Sequence, residues 1–454
     1  MVIRDPALLE KRLNDFDPRV RRDALEALLA VSGRQQPAEA NANVNMHCHS
    51  FFSYHADGWS PARIAWACHR QGLYAAALCD FDVLDGLDEF LRAGLTLGLR
   101  TAVHIETRAF VPAFAKQEIN SPGEPGVSYI MGAGFVSKPE ADSPQGRGLA
   151  AFREAAGSRN EALIARINAR LPDVAIRYAR DVQPSTPLGA ATERHIIRAY
   201  AVRGREVFPD AARRAAYWAP LLRCTAEDCQ SFETDAVKFE EALRGALAKR
   251  GGIGYQQPDA ETFPPVEAFV AWVRSCNAIP TIAWLDGTSA AESDCSNLLG
   301  VMRDLGCAAI NIIPDRNWNI QKPEERARKA AKLDEVVQAS AALDLPINIG
   351  TEMNRAGLPF VDDLNGPVLN RYRDLFIQGS QAMIGHSLLA RYAAAPYLGA
   401  RADAEFPRRK ARNRFYASVG ALSPIMHDSA DKLLDAGPER AFTLLADAAK
   451  RKSP

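Results

Sequence analysis

The chain has 454 residues, 47% of them hydrophobic, and its 55 Lys+Arg balance 55 Asp+Glu to a formal net charge of zero. A general binder of nucleic-acid backbones or anionic membranes carries a basic excess, so neither is expected as a partner. Charges occupy the first residues where a signal peptide needs an apolar run, and no segment approaches the ~18 consecutive apolar residues of a membrane span. The eight cysteines form no CxxC pair, so free thiols and a cytoplasmic location are expected.

In chain order, Leu8, Leu9, Leu13, Val20, Ala24, Leu25 and Leu28 recur at helical spacing within residues 5–32. Asp17-Pro18 breaks that run into a helical pair expected to pack on the main body. Gln35–Asn43 reads as a polar linker. Short apolar strands then alternate with amphipathic helices. Strands are expected at Val44–Ser50, Ala75–Cys79, Thr101–Phe110, Ser128–Gly132, Thr281–Trp284, Ala308–Ile313 and Ile347–Thr351. Helices are expected at Pro61–Gln71, Leu84–Leu95, Pro265–Asn277, Cys295–Leu305 and Glu324–Leu343. Alternation of this kind predicts a parallel sheet, and so many units favour a barrel. Residues 140–250 read as an inserted helical subdomain, and the chain after Asp363 as helical up to a basic, disordered end. The expected division is therefore a helical extension over 1–40, a barrel over 41–360 and a second helical extension over 361–454.

The first strand carries the clearest chemical signal. Residues two apart on a strand share a face, so His47 and His49 point one way while Met46 and Cys48 point the other. Two imidazoles so placed near a strand's C-terminal end can ligate a cation, at the end where barrel enzymes keep their chemistry. Only eight histidines are present, which favours a ligand pair over two ordinary strand residues.

The surrounding segment, Asn45-Met-His-Cys-His-Ser-Phe-Phe-Ser-Tyr-His-Ala-Asp-Gly-Trp-Ser-Pro61, resembles the opening of the polymerase and histidinol phosphatase (PHP) family. Ala77-Leu-Cys-Asp-Phe-Asp-Val-Leu-Asp-Gly86 is similar to that family's second motif, and Val103-His-Ile-Glu-Thr107 to its third. Thr192-Glu-Arg-His195 is similar to a later ligand-bearing stretch, and Gly350-Thr-Glu-Met-Asn354 falls where the family carries Ser-Asp-Ala-His. The resemblance runs over roughly residues 44–360, with the first motif the most specific. It implies a distorted (β/α)7 TIM-like barrel and hydrolysis of phosphoesters by divalent ions.

The chain departs from that pattern at several points. Phe81 replaces a ligand histidine, Tyr129 is read as replacing another, Trp284 stands where the family commonly has Ala-His-Pro, Asn354 replaces the last histidine, and Glu352 replaces an aspartate. The metal set that the resemblance leaves is His47, His49, Glu106, His195 and Asp57, with His55 as a substitute for Asp57. Such nitrogen and oxygen ligands suit one or two ions of Zn, Mn or Fe. Asp286 and Glu352, carboxylates at strand ends, are the candidate general bases. Arg108 and Arg355, each close to a proposed ligand, are the candidates to hold a phosphate, with Arg316 a third cation near a strand end. Against each stands a plainer role: Glu106 neutralised by Arg108, His195 on an ordinary helix face, Asp286 in a turn. His69, His386 and His427 are read as packing residues. The expected function is a metal-dependent phosphoesterase acting on a small phosphorylated molecule. An amidohydrolase-type barrel and a non-catalytic scaffold that binds a ligand or partner are the alternatives.

Overall fold

The computed structural model describes residues 5–33 and 43–452. Helices α1 (Pro6–Arg12) and α2 (Pro18–Ser32) open it, each with an aspartate N-cap and a proline in its first turn. That combination satisfies one orphan N–H and removes another. The pair packs on the body as expected. Trp66 Nε1 donates to Glu10 at 2.9 Å, Ser60 N–H donates to Asn14 Oδ1 at 3.0 Å, and buried Arg21 pairs with Glu89. Of the linker expected over Gln35–Asn43, only Asn43 falls within the described residues.

The body then runs β1 (Val44–Cys48), α3 (Pro61–Arg70), β2 (Ala75–Phe81), α4 (Leu87–Leu97), β3 (Arg100–Phe110) and β4 (Val127–Ala133). Next come helices α5 (Pro144–Arg170), α6 (Glu193–Val207), α7 (Ala211–Leu222), α8 (Ala226–Glu233), α9 (Ala236–Leu247) and α10 (Val266–Ser275). They are followed by β5 (Ile279–Trp284), α11 (Cys295–Asp304), β6 (Ala309–Ile312), α12 (Asp315–Trp318), α13 (Pro323–Ala342) and β7 (Ile347–Ile349). The chain closes with α14 (Arg373–Ala393), α15 (Ala400–Glu405), α16 (Arg409–Gly420), α17 (His427–Ala436) and α18 (Pro438–Lys452).

The seven strands lie in sequence order in one sheet. It curls until Cys48 bridges Glu352 and His49 N–H donates to the Glu352 carbonyl at 3.0 Å, which makes a nearly closed barrel. All seven expected strands are present, but the expectation of a parallel sheet needs correcting. β4 runs antiparallel to both β3 and β5. The physical reason is its connection: residues 111–126 carry no crossover α-helix, and strands joined without a crossover run antiparallel. The expected disordered end is also corrected, because α18 continues to Lys452.

One apolar core joins the barrel's outer helices, the N-terminal pair and the C-terminal helices. α14 and α16 cross closely through glycines: a Cβ on Gly385 or Gly420 would lie 1.8 Å from a carbonyl oxygen of the facing helix. Helices α5 to α9 enclose a second core around Trp218, Tyr200, Phe239 and Leu243. None of the described helices is long and apolar enough to cross a membrane.

Candidate metal centre

His47, His49 and Glu106 meet inside the barrel, all buried, with one ligand atom from each within 4.8 Å of the others. β1 places the two imidazoles on one face, and β3 brings Glu106 beside Phe81 at the end of β2. Glu106 Oε2 lies 3.4 Å from His47 Nε2 and 3.5 Å from His49 Nε2. A tetrahedral ion with bonds of ~2.0–2.1 Å sets its ligand atoms about 3.3 Å apart, so the spacing fits a cation. All three atoms are buried and none has a hydrogen-bond partner among the described residues. Burial alone would raise the Glu106 carboxyl, but the two imidazoles outweigh it and hold the group at about 2. The ionised carboxylate thus draws positive charge to this point, from protons on the two rings or from a bound cation that takes their place.

The far sides of both rings are held so that the near sides can ligate. His47 Nδ1 donates to Asn311 Oδ1 at 2.9 Å, leaving the Nε2 lone pair free. His49 Nδ1 faces Ser53 Oγ at 3.5 Å, and Ser53 in turn donates to Asp80 at 2.6 Å. Asp80 also accepts from the Ser50 N–H and hydroxyl, both at 2.7 Å, so it is spent on orienting the loop after β1. Such partners fix the tautomer and direction of a metal-binding imidazole. Gly350 lets β7 come close, since a Cβ there would lie 2.4 Å from the His47 Cβ.

The other two candidate histidines are held the opposite way. Asp57 N–H donates to His55 Nδ1 at 3.0 Å, and Thr192 N–H donates to His195 Nδ1 at 3.0 Å. A ring that accepts at Nδ1 carries its proton on Nε2, so neither ring offers a lone pair to a metal. Burial holds both near 3 and hence neutral. His195 is thus removed from the expected ligand set: it completes the capping box of α6 with Thr192. The Thr-x-x-His spacing at a helix start was the available signal for that role. Asp57 is removed as well, because it is exposed on the loop's outer side.

The remaining candidates separate by their partners. Asp286 is not placed as a base: its carboxylate accepts from Thr288 N–H and hydroxyl and pairs with Lys329 at 3.0 Å. It is the turn residue of the plainer reading. Glu352 is buried at the mouth, ion-paired with Arg316 at 2.9 Å, and its charge acts on His47, His49 and Glu106. Glu352 (φ 61°) and Met353 (φ 60°) are consecutive non-glycine residues in the left-handed region, a strained backbone of the kind found at functional sites. Arg108 neutralises Glu124 at 3.0 Å rather than Glu106. Arg355 is exposed, and its charge acts on Asp315 and Glu241.

At the positions of the missing ligands, Phe81 stacks on His49 at 4.3 Å and Trp284 is fully buried. Tyr129 packs against an apolar cluster of Cys79, Met131 and Ala283. His386, as expected, is structural, with Nε2 donating to the Gly134 carbonyl and Nδ1 accepting from Tyr397 N–H. Sequence reasoning missed Asn311, Asp80 and Ser53, whose roles depend on which strands become neighbours. It also missed Glu292, which accepts backbone N–H bonds from Leu285, Asp286 and Gly287.

No family model and no curated protein sequence matches the chain. Two solved structures are similar at 16% identity each. One is an amidohydrolase from Chromobacterium violaceum with bound sulfate and no metal, with a TM-score of 0.47, covering 74% of this chain and 96% of that one. The other, from Bifidobacterium adolescentis, is provisionally assigned as a metal-dependent phosphoesterase, with a TM-score of 0.43 and coverage of 75% and 98%. At these scores neither likeness decides what this chain does, and the site's own geometry has to carry the reading.

Proposed function

We propose that this chain is a PHP-type metal-dependent hydrolase, a phosphoesterase for a small phosphorylated molecule, with one divalent ion of Zn, Mn or Fe held by His47, His49 and Glu106. The observation that carries it is the convergence of three buried ligand atoms without hydrogen-bond partners among the described residues, with the two rings held at Nδ1 by Asn311 and Ser53. Three protein ligands leave a coordination position open, as in catalytic rather than structural sites. One ion is favoured because Phe81 fills the space beside His49 with a ring that cannot ligate.

When bound, such an ion supplies Lewis acidity, acidifying water and polarising a phosphoryl oxygen. The chain's own part is to orient and to move a proton. Burial alone would raise Glu352, but Arg316 and the nearby imidazoles outweigh it and keep the carboxylate ionised. With Oε2 on Arg316, Oε1 has no partner among the described residues and is the proposed proton acceptor. Phe81, Tyr129 and Tyr54 line the mouth, and Arg198 reaches down from α6 to the Tyr54 hydroxyl at 2.9 Å. Arg108 and Arg355 are the proposed cations for the substrate phosphate. The two expected extensions and the inserted subdomain, with the boundaries given above, remain part of this proposal.

Metal content of the purified protein, measured beside a His47→Ala/His49→Ala variant, tests the reading. About one ion per chain is expected in the parent and nearly none in the variant. Equal, negligible metal in both would sink it. A panel of phosphomonoesters then tests the reaction, and no phosphate release from the metal-loaded protein would count against phosphoester cleavage.

A further inference from the structure

Beside Glu106 the mouth carries a group of cations that the metal site does not use. Arg108 stands two residues beyond Glu106 on β3 and faces Tyr129 across the β3–β4 ladder. Its guanidinium lies 4.4 Å from the centroid of Phe263, and Arg159 of α5 covers the same ring at 4.7 Å. Arg244 of α9 and Lys249 just beyond it converge on Glu193 at 2.6 and 2.9 Å. The two sets form one electrostatic neighbourhood. Arg108 and Arg244 both act on the Tyr129 hydroxyl, as does Glu106, and Arg108 acts on Lys249 and Arg159.

The charges in this neighbourhood do not balance. Arg108, Arg159, Arg244 and Lys249 face Glu124, Glu193 and Asp82, and Asp82 reaches Arg159 only at 4.0 Å. Glu241, 3.6 Å from Arg244, is already paired with Arg194. With Glu106 counted to the metal site, one positive charge is in excess among side chains that are mostly buried, with Arg108, Arg159 and Arg244 26%, 21% and 23% exposed. The Tyr129 hydroxyl has no hydrogen-bond partner among the described residues. Excess charge beside apolar rings is poorly screened and attracts an anion more strongly than it would in open water. Guanidinium forks match the paired oxygens of a phosphate, and a dianion is the charge that best offsets such a cluster.

We propose that Arg108, Arg159, Arg244 and Lys249, with Tyr129 as a donor, hold the substrate's phosphate, and that these fixed cations stand where a second metal ion's charge would otherwise be needed. This rests on the phosphoesterase reading above and gives the insertion a role in it. Three of the four cations come from helices α5 and α9 or the residues just after them, so the insertion takes part in binding.

Calorimetric titration with inorganic phosphate at low ionic strength tests this on the parent, on Arg159→Gln/Lys249→Gln and on His47→Ala/His49→Ala. Metal content and circular dichroism are measured for each. The expected result is a loss of roughly tenfold or more in phosphate affinity for Arg159→Gln/Lys249→Gln with metal retained. The histidine variant, which loses metal and with it the ion's own contact to phosphate, should still bind phosphate measurably through the cations. Single Lys249→Gln, at the most exposed of the four cations, serves if the double variant does not fold and should show a smaller loss in the same direction. Unchanged affinity in the folded cation variants, or no phosphate binding by the parent, overturns the proposal. Loss of phosphate binding in the histidine variant alone would also overturn it while leaving the metal reading intact. A parent that binds phosphate through these cations but carries no metal would instead uphold the phosphate site and overturn the metal reading.

Discussion

The two halves of the barrel mouth offer similar groups and employ them differently. Around β1 to β3, His47, His49 and Glu106 present buried atoms to one point, with no hydrogen-bond partner for them among the described residues. Around β5 to β7, the carboxylates are mostly spoken for. Asp286 closes a turn and pairs with Lys329, and Glu292 gathers three backbone N–H groups. Among the described residues Glu352, Asp315 and Asp362 each keep an oxygen without a hydrogen-bond partner, and of the three Glu352 is the one on strained backbone. The difference teaches that a carboxylate at a strand end says little by its position. What its oxygens already accept decides whether it is free to act.

That contrast can be broken most sharply at Glu352. Glu352→Gln should lower phosphoester turnover by about 10²–10⁴-fold, the range of general acid–base catalysis, with metal content unchanged. Retained turnover would place the base elsewhere. The second half also lends the first a support through Asn311, whose amide oxygen fixes the His47 ring. Asn311→Leu should weaken metal binding by roughly 10–100-fold, read by competition with a chromophoric chelator. Unaltered affinity would mean that His47 holds its orientation without that bond.

A smaller effect separates structural from ligand histidines by pH. Burial lowers His386 to about 4, against an ordinary value of 6.5. Between those values the unfolded chain binds the proton and the folded chain does not, so this contribution is full above pH 6.5 and is lost as pH falls towards 4. Relative to His386→Gln, which can keep both hydrogen bonds, the parent should lose up to about 1.4 kcal/mol per pH unit over that window. Parallel stability curves from urea unfolding would show that His386 does not titrate as described. The smallest effect belongs to Asp286→Asn, which keeps the turn and loses the Lys329 pair. It should cost about 1 kcal/mol or less in stability and leave turnover within about threefold. A large fall in turnover there would erase the distinction between the two halves.

Much of this architecture could be read from the residues in order. Strand and helix positions follow from apolar periodicity, and the Asp-Pro and Ser-Pro pairs mark helix starts at Pro18 and Pro61. The direction of β4 was missed because the seven strands suggest a uniform crossover pattern, and only the connection over 111–126 shows otherwise. Within the site, HxH was legible because period-two alternation is local. His195 was misassigned because its fate turns on a hydrogen bond at Nδ1, and residue type says nothing about that.

The sequence by itself determined that His47 and His49 share a face, that Phe81 cannot ligate, and that strands alternate with helices. Each of these depends on side-chain chemistry or on neighbours a few residues apart. Only the tertiary structure decided that Glu106 joins the two histidines while Asp57, His195 and Asp286 do not. That choice rests on strand register, ring tautomer and the partners each oxygen finds. All three are set by chain segments tens to hundreds of residues away, and no local pattern encodes them.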